Sequence, residues 1–146
     1  MKKSKTVVAI KVEIGCRAKV IKQSTELFDL QSAVGGYIEL AYPFKSNVAI
    51  ICNDEGKIKE RPNRLIGVNE TGFYDVIFGT FLLVRTNSGG YQDLSKTDIK
   101  KYLPLVDDVQ MFWGKNCFKI TDFPYEPDDL RFNYIDKEDD TEWGNI

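Results

Sequence analysis

The sequence contains no histidine among its 146 residues. This absence removes the commonest general base near neutral pH and the commonest metal ligand of proteins. The three cysteines, Cys16, Cys52 and Cys117, lie far apart and form no C-x-x-C pair, so no zinc or thioredoxin-like motif is present. We therefore expect a protein that is not an enzyme, with no catalytic residues, no metal site and no cofactor.

Long apolar runs are also missing. No stretch approaches the ~20 apolar residues that a membrane-spanning helix needs. The basic segment 1–5 is followed only by the short apolar run 7–10, which is too short for the core of a signal peptide. These features predict a cytoplasmic protein, with reduced cysteines and no membrane contact.

The net charge is small, −2, but it is unevenly distributed. Residues 122–146 have nine acidic and two basic side chains, a net charge of −7, which leaves +5 for residues 1–121. We expect a domain over 1–121 and an acidic, aromatic extension over 122–146. Its aromatic side chains would anchor a partner while the carboxylates steer it, with Phe123, Tyr125, Tyr134 and Trp143 as contacts. Two alternatives are mimicry of DNA phosphates and packing of the aromatics on the domain.

Local patterns predict the first half of the fold. Residues 6–14 alternate in polarity as a strand does. Residues 27, 30, 31 and 34 form one helical stripe that ends at Gly35-Gly36, and residues 37–42 follow as a strand. Residues 47–52 and 57–60 flank Asn-Asp-Glu-Gly, which predicts a β-hairpin.

The second half has fewer signals. Residues 74–84 are predicted to form one central strand with a bulge or bend at Gly79. Ser95 and Asp98 resemble a capping box that opens a short helix, which Pro104 should limit. Residues 109–112 and 118–120 would form short strands or a hairpin. The expected fold is α+β: one small domain with a mixed or mostly antiparallel sheet and two short helices.

Residues 30–39 read L-Q-S-A-V-G-G-Y-I-E. Together with the N-D-E-G-K turn at 53–57, P-N-R at 62–64 and D-x-I-x-G at 75–79, they resemble a family of small phage and mobile-element proteins of unknown function. The resemblance covers roughly residues 5–105 and leaves 106–146 outside. It implies a fold and a phage or plasmid context, but no activity that can be transferred.

A basic stripe is the strongest ligand candidate. If 57–60 is a strand, alternate side chains from Lys57 to Arg61 share one face, where they could hold phosphates. The predicted ligand-binding residues are Tyr37, Lys59, Arg61, Asn63 and Arg64. The alternative is a solvated strand face whose lysines protect a sheet edge.

Three functions remain open on these features. The first is a non-enzymatic phage or mobile-element protein that binds a host protein, for counter-defence or regulation. The second is a sponge that sequesters a nucleotide-like signalling molecule, including one held between subunits of a homo-oligomer. The third is a nucleic-acid-binding module that uses the basic stripe, which would make binding steeply dependent on salt.

Overall fold

The computed structural model describes residues 5–68, 73–113 and 116–119. In chain order, its elements are β1 (Thr6–Val12), β2 (Lys19–Ser24), α1 (Leu27–Val34), β3 (Ile38–Ala41), β4 (Val48–Asn53), α2 (Gly56–Lys59), β5 (Pro62–Val68), β6 (Phe73–Phe78), β7 (Phe81–Asn87), β8 (Gly90–Gln92), α3 (Lys96–Val106), β9 (Gln110–Trp113) and β10 (Asn116–Lys119). None of the helices in these ranges is both long and apolar enough to cross a membrane.

The strands form one main sheet and two small ones. The main sheet has the order β2-β1-β7-β4-β3, and β8 also pairs with β7. β5 pairs with β6, and β9 pairs with β10, as in the second of the two predicted alternatives, short strands or a hairpin. The described pairings are antiparallel. The predicted α+β fold with a mostly antiparallel sheet is confirmed, although the described residues include three helices rather than two.

The central strands β1, β7 and β4 contribute to a core on both faces of the main sheet, since alternate residues of a strand point to opposite sides. α1 covers one face, and the β5–β6 hairpin and α3 cover the other. The core under α1 contains Val7, Ala9, Leu30, Val34, Ala49, Ile51, Leu82 and Val84. The core on the other side includes Ile10, Val12, Ile50, Cys52, Ile66, Ile77, Leu83, Tyr102 and Val106.

The predicted junction between α1 and β3 is confirmed. Leu30 and Val34 are buried on the inner side of the helix. Gly35 ends it in the left-handed conformation, with φ of 83°, and its N–H donates to the Gln31 carbonyl at 2.8 Å. Glycine adopts this conformation without a Cβ clash, so the chain can turn directly into β3.

The predicted capping box on α3 is also confirmed. The Asp98 N–H donates to Ser95 Oγ at 3.0 Å, and the Ser95 N–H donates to Asp98 Oδ2 at 2.9 Å. Pro104, however, does not limit the helix, which continues to Val106. A proline has no N–H to donate, but its φ is compatible with a helix, and the buried Val106 holds the last turn against the sheet.

The predicted hairpin of 47–52 with 57–60 is wrong in its second arm. Residues Gly56–Lys59 form α2, and β4 pairs instead with β3 and β7. Asn53 Oδ1 accepts from the Glu55 N–H at 2.8 Å and turns the chain at the end of β4. Lys59 then reaches Glu55 at 3.0 Å across one helical turn. The basic residues are therefore not arranged along a strand.

The single predicted strand over 74–84 is two strands. The strand conformation is interrupted at Gly79, which has φ of 80°. β6 lies before this residue and β7 after it. β6 joins β5 outside the main sheet, and only β7 is the buried central strand. β5 begins at Pro62.

Candidate functional site

The five predicted ligand-binding residues do not form one site. Tyr37 is 71% exposed just before β3, and Lys59 lies on α2 in an ion pair with Glu55. Arg61 lines a separate cavity, whereas Asn63 and Arg64 are buried at the start of β5. The shared strand face on which the prediction depended is absent, because α2 replaces that strand.

Asn63 and Arg64 form a buried cluster that fixes the hairpin to the rest of the domain. Asn63 is 1% exposed, and its Nδ2 donates to the carbonyls of Val12 at 3.0 Å and Gly79 at 2.8 Å. Arg64 is fully buried, and its guanidinium donates to the carbonyls of Val106, at 2.9 Å, and Cys16. Its Nη1 also donates to Asn63 Oδ1 at 2.8 Å. In this fold these side chains join β5 to β1, to the segment before β7 and to α3 through buried hydrogen bonds.

The cavity beside Arg61 has a volume of about 260 Å³ and lies at the C-terminal end of α1. Ser32, Gly35 and Thr80 contribute to its lining, as do the carboxylates of Glu13 and Glu60. Two carboxylates beside one guanidinium oppose a phosphate. The C-terminal end of α1 is the negative end of the helix dipole, and it also disfavours the binding of a phosphate.

A larger groove lies between β3 and β6, and we call it the β3–β6 groove. It encloses about 340 Å³, and its lining comprises Glu39, Ala41, Cys52, Asn53, Asp54, Glu55, Gly56, Lys57, Ile58, Asp75, Val76, Ile77 and Phe78. A second section of about 210 Å³ shares Ala41, Asp75 and Ile77 with it and extends to Tyr42 and Pro43. The groove is therefore elongated rather than a closed chamber.

The two strands present different sides to the groove. β3 contributes the alternate residues Glu39 and Ala41, as a strand does when its face lines a cavity. β6 contributes four consecutive residues, Asp75 to Phe78, as a strand does when its edge lines one. At one end, a Cβ on Gly56 would lie 2.8 Å from the Phe78 carbonyl oxygen, so only glycine lets α2 pack this closely against β6.

The charges along the groove are mainly negative. Lys57 pairs with Asp75 at 3.2 Å, and Lys59 pairs with Glu55 at 3.0 Å. Glu39 and Asp54 are exposed, and within the described part of the chain neither forms an ion pair. The groove therefore keeps two carboxylates whose charge no described lysine or arginine compensates.

Cys52 lies on the floor of the groove and responds to this field. Burial, which is the largest cause, and the carboxylates of Glu39, Asp75 and Asp54 together raise the pKa of its thiol to about 11. The thiol donates to the Glu39 carbonyl oxygen, with 3.8 Å between Sγ and that oxygen. Because the thiolate is the reactive form of cysteine, Cys52 is a packing residue at neutral pH rather than a nucleophile.

Apolar side chains complete the groove. Ala41 and Ile77 form part of its floor, and Ile58 stands 83% exposed at its rim. An apolar surface bordered by carboxylates suits a ligand with an apolar stem and a cationic end, such as a lysine or arginine side chain. In residues 5–68, 73–113 and 116–119, no three Cys, Asp or Glu side chains are grouped to hold a metal ion.

The sequence analysis did not predict this groove. Glu39 lies in β3, Asp54 in the turn between β4 and α2, and Asp75 in β6, so no local pattern connects them. The predicted partner contacts Phe123, Tyr125, Tyr134 and Trp143 lie outside the described residues.

The chain was compared with protein families, curated proteins and solved structures. A family model described as Domain of unknown function (DUF3846) matches residues 5–107, close to the range of the resemblance noted in the sequence. No curated protein and no solved structure matches the chain.

Proposed function

The chain belongs to this family of unknown function, and we propose that it is a non-enzymatic binding protein of a phage or another mobile element. Its target is a protein of the host cell, its place of action is the host cytoplasm, and its purpose is counter-defence or regulation. The phage context of this proposal rests on the resemblance of residues 30–39, 53–57, 62–64 and 75–79.

The β3–β6 groove is the observation that carries the proposal. It combines an apolar floor with the uncompensated carboxylates of Glu39 and Asp54. Such a surface receives a side chain of opposite charge from a partner and excludes like charge, which gives specificity. The acidic composition of residues 122–146 favours the same class of partner, a protein with a basic surface.

The nucleotide sponge and the nucleic-acid-binding module draw less support from the described residues. Both need clustered donors for phosphate. The donors of Asn63 and Arg64 are directed to main-chain carbonyls, and Lys57 and Lys59 pair with carboxylates. The negative field of the groove opposes a phosphate there as well.

The test is retention of host proteins on the immobilised full-length chain. Bacterial lysate is passed over the wild type, over Glu39→Lys with Asp54→Lys, and over Glu13→Lys with Glu26→Lys. Both double variants change the net charge equally, but Glu13 and Glu26 lie outside the groove. We expect a protein, identified by mass spectrometry, that the wild type and the second variant retain and the first variant loses.

Two results would overturn the proposal. One is that no host protein is retained above the level of a blank column. The other is a native mass spectrum of the gently purified chain with an added few hundred daltons per 16.7 kDa subunit, which would favour the sponge.

A further inference from the structure

The edge of β6 is the part of the groove that a partner main chain can reach. Among the described strands, β6 pairs only with β5. Alternate main-chain N–H and C=O groups of a strand point away from its partner, so a strand with one neighbour presents a row of them on its other side. α2 covers this side at Phe78, which leaves Asp75 to Ile77 along the groove.

The shape of the groove fits a chain in extended conformation. It runs from α2 past Ala41 to Tyr42 and Pro43, with β6 along one side and the face of β3 opposite. An extended segment that pairs with β6 would alternate its side chains between the apolar floor and the solvent. Peptides bind other proteins in this way, with main-chain hydrogen bonds for affinity and side-chain pockets for specificity.

The charges decide what that segment contains. A side chain directed between β3 and α2 meets Glu39 and Asp54, which no described cation neutralises. The protein's own residues 122–146, with a net charge of −7, would be repelled from this surface. The charges therefore disfavour residues 122–146 as the occupant and favour a basic segment of another chain.

On these grounds we infer that the β3–β6 groove binds an extended, basic segment of a partner protein. The segment adds as a strand along β6 at Asp75 to Ile77, and one of its lysine or arginine side chains lies between Glu39 and Asp54. This inference rests on the proposed function, because it names the class of partner that the same groove recognises.

The experiment selects random linear peptides on the immobilised full-length protein. We expect enriched peptides with lysine or arginine at one fixed position among β-branched residues. A synthetic enriched peptide should shift the main-chain amide resonances of Asp75, Val76 and Ile77 in the NMR spectrum. Glu39→Gln with Asp54→Asn should weaken binding about tenfold, as expected for two partly exposed charge contacts. Glu13→Gln with Glu26→Gln should leave it unchanged.

A second peptide separates charge from shape. Norleucine in place of the selected basic residue keeps an apolar stem without the cation, and it should weaken binding about as much as the groove variant does. The inference is overturned if no basic preference is enriched, if norleucine binds equally well, or if the shifted amides lie elsewhere. If the peptide test fails but the wild type still retains a host protein in the lysate test, the proposed function is still supported. If both tests fail, the proposed function is overturned as well.

Discussion

Two polar regions lie at opposite sides of the β5–β6 hairpin, and they are used in opposite ways. At the start of β5, Asn63 and Arg64 are buried and donate to the carbonyls of four other residues, and Arg64 also donates to Asn63. Along β6, Glu39 and Asp54 border an open groove without an ion pair in the described residues. The first region binds the protein to itself, and the second remains available to a partner.

The difference shows which polar residues indicate function. A buried polar group must be satisfied within the fold, since leaving it without a partner costs about 1–3 kcal/mol. An arginine that meets this requirement on main-chain carbonyls stabilises tertiary structure. Carboxylates at the edge of a groove are satisfied by water instead, and a ligand can replace that water.

The largest expected effect lies in the buried region. Arg64→Met keeps a long apolar side chain but removes the donors to Val106 and Cys16. We expect the free energy of unfolding, measured with urea, to fall by roughly 3 kcal/mol or more, since several buried acceptors lose their donor. Arg64→Lys should recover only part of the loss, because an ammonium cannot reproduce the planar fork. A loss below ~1 kcal/mol would show that the cluster is not structural.

The contact between α2 and β6 gives the next effect. In Gly56→Ala the new Cβ would lie 2.8 Å from the Phe78 carbonyl oxygen, so one main-chain segment must move. Unfolding in urea should show a loss of about 1–3 kcal/mol, typical of overpacking. Gly89→Ala is the matched control, because its new Cβ meets only the end of the Asn87 side chain at 3.3 Å. Equal losses in both variants would contradict the close packing of α2.

The carboxylate of Asp98 forms an ion pair with Arg85, in contrast to the carboxylates of Glu39 and Asp54 in the groove. The Arg85 guanidinium and the Ser95 cap lower the pKa of Asp98 from 3.8 to about 2. Because the folded pKa lies below the unfolded value, this contribution is present above about pH 4 and is lost as the pH falls through 2. We expect acid titration of the unfolding free energy to show a loss of about 1–2 kcal/mol in that window.

Asp98→Asn is the control for this titration. The variant should be less stable than the wild type at neutral pH and should lack the loss between pH 4 and pH 2. If the wild type and the variant respond equally to acid in this range, another carboxylate is responsible.

The smallest change in stability is expected in the open region. Glu39→Gln with Asp54→Asn should alter the unfolding free energy by no more than ~0.5 kcal/mol, because both side chains are exposed. The same variant should lower the pKa of Cys52 from about 11, since both carboxylates raise it, yet burial should keep it above its ordinary value. Thiolate absorbance against pH, in a background of Cys16→Ser and Cys117→Ser, measures this. An unchanged pKa would mean that the groove lacks the negative field described.

Local signals in the sequence predicted much of the fold. The stop at Gly35, the capping box at Ser95 and the apolar run that became β4 each depend on a few consecutive residues. α2 escaped prediction because Lys-Ile-Lys-Glu over 57–60 fits the period of a strand as well as that of a helical turn. The contact that decides between them, Gly56 against the Phe78 carbonyl, joins residues of different elements.

The candidate site could not be predicted for the same reason. Arg64 resembled a free donor because its acceptors, Cys16 and Val106, lie 48 and 42 residues away in the chain. The groove exists because β6 and β7 are separate strands on either side of Gly79, and β6 lies outside the main sheet. The continuous apolar run over 74–84 gave no sign of this separation. The sequence near Tyr37 and Lys59 does not indicate that Tyr37 is exposed or that Lys59 pairs with Glu55.

The order of the strands in the main sheet also determines when the sheet can form during synthesis of the chain. β7 is its central strand, pairing with β1 at Ile10 and Leu83 and with β4 at Ile50 and Leu83. Before β7 leaves the ribosome, the hairpins β1–β2 and β3–β4 have no strand to join them. Contacts between residues so distant in sequence close slowly, and the apolar β4 stays uncovered in the meantime. A chain interrupted before residue 81 therefore lacks the strand that joins the β1–β2 and β3–β4 hairpins. We expect its exposed apolar residues to make it a substrate for chaperones and proteases.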